Sequence, residues 1–250
     1  MYINDTHILS YFIIMVLGGI VGYFLNWCNY RLPDEKKVFC KEYFLERKKI
    51  KTNYFLIIAT AILYVTILYK YGIHWEIQKD LSLLMYLTLT PMLLSAFVID
   101  YRLQIIPNRL NLTIFETGLV FAFLYGITSN LTIVINMLLG SVVGAGIFLI
   151  ITLIGGLIAG KEAMGFGDVK LMGALGLYFG VANIIAISVM SFLLGAIISI
   201  ILLANKKKKT DEYIPFGPFI VLATLIAVIV PSEMLLFVLF KIFTLGMYKG

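Results

Sequence analysis

Cysteine, histidine and tryptophan are nearly absent from this 250-residue sequence, with two of each, and charged residues make up only 14% of it. Two cysteines, Cys28 and Cys40, are too few for a disulfide framework or a four-cysteine zinc site, which argues against dependence on an oxidising compartment. His7 and His74 are too distant in sequence to complete a tetrahedral site with them, so no metal is expected. The shortage of charge, beside 61% hydrophobic residues and a mean hydropathy of +0.97, excludes an ordinary soluble domain. The longest polar stretch, 31–53, is too short for a core of its own. There is no internal repeat and no matched pair of broken helices, the pattern an inverted-repeat transporter would show.

What is present is apolar sequence in membrane-length runs. A helix needs about 17–25 apolar residues to cross a bilayer, and such windows fall at 8–28, 54–72, 81–99, 111–128 and 133–159. Beyond them come a short glycine-rich segment at 169–180, a full run at 183–204, and a run at 218–247 broken near Pro231. The short segment survives at membrane depth only if neighbours or a water-filled cavity satisfy its backbone. The expectation is an all-α polytopic membrane protein of about eight transmembrane helices, forming one membrane-embedded domain over 1–250. The first run has no basic segment before it and no small-residue cleavage signal, so it reads as a retained span.

The net charge of +6 sits in loops. Sixteen of the twenty basic residues fall in 30–53, 100–110, 160–170 and 205–213. With eight spans these loops share one face, which the positive-inside rule makes cytoplasmic, with both termini outside. A break at Pro231 that added a span would bring the C-terminus inside. Lys206 to Lys209 read as a solvated loop and topology signal rather than a nucleic-acid patch, and the basic loops suit anionic lipid.

Two acids stand out against this background. Asp168 follows two glycines in Met164-Gly165-Phe166-Gly167-Asp168-Val169-Lys170-Leu171, and Asp100 closes the third run, ahead of Pro107 and Asn108. A carboxylate at a hydrocarbon boundary is costly and has a partner or a role. On the predicted topology both emerge on the cytoplasmic face. A pair of carboxyl groups can cleave a peptide when one is ionised to take a proton from water and the other is protonated to polarise the carbonyl and supply the leaving amine. Separately, Asp100 could mark a helix end beside Arg102 or Arg109, and Asp168 could cap the following helix. Lys170 could stabilise ionised Asp168 or meet lipid phosphate. Gly165 and Gly167 permit unusual dihedrals and close approach of another chain.

The glycine stretch, with Glu162-Ala163-Met164 before it, resembles the signature of the type IV prepilin peptidases, GxGD aspartyl proteases of bacterial membranes. Three further blocks in the same order resemble that family. They are Asp100 with Pro107-Asn108, Gly22 to Asn26 followed by Arg31-Leu32-Pro33, and Pro215-Phe216-Gly217-Pro218. The resemblance implies that Asp100 and Asp168 are the catalytic pair. It implies supporting or substrate-binding places for Gly165, Gly167, Lys170, Pro107, Asn108, Glu162, Asn26, Pro215 and Gly217. The implied substrate is a prepilin or pseudopilin precursor, cut after a glycine where a short basic leader meets an apolar helix, on the cytoplasmic side of the bacterial plasma membrane.

One departure from the family pattern bears on cofactors. Many members carry a larger cytoplasmic insert with two Cys-x-x-Cys pairs and N-methylate the new N-terminus with S-adenosylmethionine. Here 30–53 is a short basic loop in place of that insert, and Cys28 reads as a small buried hydrophobe. The expectation is peptidase activity without zinc, with methyl transfer, and therefore S-adenosylmethionine, left open. No nucleic-acid partner is expected and the oligomeric state is open. The competing readings are a proton- or cation-coupled transporter, which needs acids along a path across the bilayer, and a structural subunit whose acids only cap helices.

Smaller features carry expectations of their own. Gly140 and Gly144, and Gly176 and Gly180, have the four-residue spacing of close helix contact, within one molecule or across a dimer. Asn26 and Asn136 read as interhelical hydrogen-bonders. Glu116 is the least comfortable acid, to be met by a neighbouring helix, the cavity below Asp100 or snorkelling. Pro215 and Pro218 fix where a helix can begin, and His7, His74 and Trp75 fit the outer boundary.

Overall fold

The computed structural model describes residues 2–3, 6–38, 50–159, 164–204 and 214–243. A two-residue strand pair, β1 (Tyr2–Ile3) and β2 (Thr6–His7), is joined antiparallel. Every other described element is helical: α1 (Ile8–Arg31), α2 (Tyr54–Tyr71), α3 (Ile77–Leu103), α4 (Asn108–Thr128), α5 (Leu131–Ala159), α6 (Phe166–Ala204), α7 (Gly217–Ile229) and α8 (Ser232–Phe243). Among the described residues the six helices α1 to α6 are long and apolar enough to cross a membrane. Their sides carry exposed aliphatic and aromatic groups such as Phe12, Ile20, Ile62, Phe123 and Leu157. In water that surface would drive association; in a bilayer it meets acyl chains. The protein is a multi-pass all-α membrane protein, as the apolar runs predict.

The chain forms two compact units, Met1–Val134 and Ile135–Gly250. In the first, α1 and α2 pack almost backbone to backbone. A Cβ on Gly18 would lie 2.8 Å from the Ala61 Cα, and one on Gly22 2.6 Å from the Leu56 carbonyl oxygen. Asn26 Oδ1 accepts from the Asn53 amide at 2.6 Å, and Asn53 in turn caps α2 by accepting from Phe55 N. Asn26 is therefore the interhelical bond its sequence position suggests.

Proline 91 lies inside α3. Having no N–H, it leaves the Leu87 carbonyl without its helical donor, and an unmatched carbonyl at membrane depth is costly. The Tyr64 hydroxyl of α2 donates to that carbonyl at 2.9 Å. Helix α3 runs beyond the apolar window 81–99 at both ends, because a charged turn outside the hydrocarbon can still be helical. Gln104, at φ 57 and ψ 33, ends it in the left-handed conformation.

The second unit turns on Gly180, whose φ of 67° and ψ of −177° break α6. In a straight helix Met172 and Ile184 would stand about 18 Å apart. Both instead meet Gly144 of α5, where a Cβ would lie 2.5 Å from the Met172 carbonyl oxygen and 2.9 Å from Ile184 Cγ1. The chain therefore reverses at Gly180 and α6 is a hairpin of two antiparallel segments, matching the separate runs 169–180 and 183–204. The side-chain-free faces of Gly140 and Gly176 meet directly, so this small-residue spacing serves contact within the molecule. Asn136 accepts from Val181 N at 3.2 Å, satisfying the first amide after the break.

Pro218 stands in the first turn of α7, where its missing N–H is tolerated. Pro231 separates α7 from α8 as the sequence suggests. Phe148, Phe192, Phe216 and Phe219 form an aromatic cluster joining α5, α6 and the start of α7.

Candidate active site

Asp100 lies in the last turn of α3 and is buried, with 4% of its surface exposed. The left-handed cap places the Gln104 amide on the Asp100 carbonyl at 2.9 Å, which fixes the backbone beside the acid. Three residues later Pro107 is buried and accepts from Leu110 N and Asn111 N, starting α4 at Asn108. Asp100, Pro107 and Asn108 thus share one end of the first unit. Asn26 lies at the same end, on α1.

Asp168 is also 4% exposed. It stands in the first turn of α6 with its amide donating to the Gly165 carbonyl at 3.0 Å. This corrects the capping reading: the acid is inside the helix rather than at its cap. Gly167 is helical, and the glycines with left-handed φ among the described residues are Gly72 and Gly180. Unusual dihedrals therefore do not explain Gly165 and Gly167. Phe166 projects outward at 57% exposure, and Lys170 Nζ sits 5.4 Å from its ring centroid.

Helix geometry sets the level of Asp168 within the second unit. Met172 is level with Gly144, so one turn further along these antiparallel helices Asp168 is level with Phe148. Phe148 is 5.9 Å from Phe216. The Pro215 to Gly217 segment therefore stands at the same height as Asp168, with Gly217 buried. Glu162 and Cys40, together with Lys206 to Lys209, lie outside the described residues. Glu116 is exposed on α4.

A cavity of ≈ 750 Å³ opens between α1, α2 and α3, with Asn26, Asn29, Tyr30, Asp34, Lys51 and Arg102 in its walls. The side-chain amide of Asn29 is buried there and has no hydrogen-bond partner among the described residues. Asn29 belongs to none of the motifs in the sequence. Its three-residue spacing from Asn26, which puts both amides on one helical face, is the signal that could have found it. Among the described residues no three His, Cys, Asp or Glu side chains group to hold a metal, and Cys28 is buried in α1.

Residues 87–200 match the profile described as the type IV leader peptidase family. A prepilin leader peptidase/N-methyltransferase of Legionella pneumophila is 30% identical over 87% of this chain and 90% of its own length. The chain belongs to the type IV leader peptidase family. Enzymes of the same name from Xanthomonas campestris pv. campestris and Pseudomonas aeruginosa are 32% and 31% identical over 70% and 69% of this chain. The chain spans 58% and 56% of the length of those two relatives. No solved structure matches it. The leader peptidase match contains Asp100, Pro107, Asn108, Gly165, Gly167, Asp168 and Lys170, while Asn26, Pro215 and Gly217 lie outside it. A peptidase family gives the transporter reading no support.

Proposed function

We propose that this protein is an aspartic-type endopeptidase that removes the leader of prepilin or pseudopilin precursors, with Asp100 and Asp168 as its catalytic pair. The observation that carries the reading is the burial of both carboxyl groups at helix ends within the segment matched by the family. Ionised carboxylates so far from water need partners, and a shared proton is one that two acids can supply. The helix ends differentiate them. Asp168, in the first turn of α6, meets the positive end of a helix dipole and suits the carboxylate; Asp100, in the last turn of α3, meets the negative end and suits the protonated acid.

In the proposed reaction Asp168 takes a proton from water as the water oxygen attacks the scissile carbonyl carbon, and Asp100 gives its proton to the carbonyl oxygen, forming a tetrahedral diol. Collapse breaks the C–N bond, the proton on Asp168 passes to the leaving amine, and a hydroxyl of the tetrahedral intermediate returns its proton to Asp100, so the pair again shares one proton. Gly165 and Gly167 leave room beside Asp168 for the precursor backbone. Pro107 and Asn108 set the α3–α4 turn beside Asp100, while Asn26, Pro215 and Gly217 shape the flanking helix ends. Lys170, two residues after Asp168, and Glu162, three before Gly165 in sequence, are assigned supporting roles.

The distribution of basic loops supports a reading in which both acids face the cytoplasm; in that reading the membrane is a bacterial plasma membrane, 30–53 is a short cytoplasmic loop and the two compact units make up one peptidase domain over 1–250. The peptidase step uses no metal or cofactor. S-adenosylmethionine enters only with methyl transfer, for which it would supply the methyl group. The cavity holding Asn29, Lys51, Asp34 and Arg102 has mixed charge suited to that zwitterionic donor. Co-expression of a pilin precursor with Asp100→Asn or Asp168→Asn tests the pair: each variant should reach the membrane at normal abundance and leave the leader uncut. Normal leader removal by either one would reject the assignment.

A further inference from the structure

A second cavity in the first unit, of ≈ 770 Å³, is a groove backed by α3 and flanked by α1 and α4. Its depth is apolar: Phe24 and Leu25 of α1, Met92 of α3 and Leu112 of α4 line it. Its mouth is basic, with Lys36, Lys37 and Arg109 also contributing to the lining. Lys36 is 2.8 Å from Asp34, whose hydrogen bond first and charge second raise the Lys36 ammonium above its ordinary value. Asp34 answers one cation, and among the described lining residues the remaining charge is that of Lys37 and Arg109, both exposed. The Ser95 hydroxyl in the wall is buried, with the residue 1% exposed, and has no hydrogen-bond partner among the described residues. The Trp27 indole donates to the Val38 carbonyl at 2.8 Å, which holds the strand of loop bearing Lys36 and Lys37 against α1.

We propose that this groove binds an anionic phospholipid of the bilayer, with acyl chain along Phe24, Leu25, Met92 and Leu112 and phosphate at Lys37 and Arg109. An apolar groove whose described cations are Lys36, Lys37 and Arg109 matches the polarity of a lipid, and basic pockets between transmembrane helices select acidic headgroups. The precursor is a poorer occupant, because the basic leader expected of it would meet Lys37 and Arg109 as like charges. The groove is also on a different face from the proposed chemistry, since Ser95 and Asp100 are turned about 140° apart on α3. The inference therefore does not depend on the peptidase assignment. The Ser95 hydroxyl gains in the lipid ester region an acceptor it lacks among the described residues.

Native mass spectrometry of the detergent-purified full chain, titrated with phosphatidylglycerol or phosphatidylcholine of identical acyl chains, tests this. Phosphatidylglycerol should be retained in roughly ten-fold preference, on the order expected of two cations beside an acidic headgroup. The double variant Lys37→Gln/Arg109→Gln, at exposed positions and checked for unchanged thermal unfolding, should erase the preference. Leu112→Trp, which fills the groove, should reduce retention of both lipids. Equal retention of the two lipids, or a preference unchanged in the double variant, would overturn the proposal. So would protection by inorganic phosphate equal to that by lipid, which would indicate a site for a free anion. Displacement of the lipid by an apolar peptide from a pilin precursor would reassign the groove to substrate.

Discussion

At Gly140 and Gly176 two helices touch through their backbones, and a single methyl group at either position has nowhere to go. Overpacking of this kind costs about 1–3 kcal/mol, so Gly140→Ala should lower the unfolding temperature in detergent. Gly146, where an added Cβ meets nothing within 4 Å, supplies the control: Gly146→Ala should leave the unfolding temperature equal or slightly higher. The four-residue glycine spacing made this contact legible in sequence. The partner of Asn136 was not legible, because nothing marks Val181 as the residue whose amide is left over by a break at Gly180. Gly165 and Gly167 raise a different question. Neither has a left-handed φ, so Gly165→Val and Gly167→Val should impair leader cleavage more than membrane insertion. Comparing processed precursor with the membrane abundance of each variant measures the difference, and unchanged cleavage would leave the glycines with no part in the chemistry.

Helix α3 shows how one element depends on another. The proline that interrupts its hydrogen bonding is answered from α2 by Tyr64, so Tyr64→Phe should cost about 1–3 kcal/mol by leaving a buried carbonyl unmatched. Pro91→Ala restores the helical donor. In that background Tyr64→Phe should cost far less, and a thermal double-mutant cycle reads the coupling directly; additive effects would mean that the hydroxyl does not serve the Leu87 carbonyl. Sequence exposes the proline but not its remedy, since the hydroxyl comes from a residue 23 positions from the carbonyl it serves. The helix ends were also beyond its reach. Apolar windows mark hydrocarbon thickness, whereas α3 continues for a further turn to Leu103, and that turn makes Asp100 a helical residue rather than the first residue of a loop.

For the whole molecule, length and hydropathy sufficed to recover a multi-pass helical protein, because a bilayer demands long apolar runs and leaves few alternatives to a helix. The break at Gly180 and the proline at the head of α7 were legible for the same reason, as interruptions in those runs. The two acids were legible as misfits. Their chemistry became specific only through the four ordered blocks, since burial alone is shared by many structural carboxylates. The central claim is that Asp100 and Asp168 act at one site, and their separation tests it most directly. In a background of Cys28→Ala and Cys40→Ala, cysteines replacing the two acids can be treated with a short thiol-bridging reagent in native membranes, with and without bound precursor. Mass spectrometry of the digest should then find peptides containing positions 100 and 168 joined. If both thiols react singly with a small alkylating reagent yet never bridge, even with precursor bound, the two carboxyl groups do not form a pair.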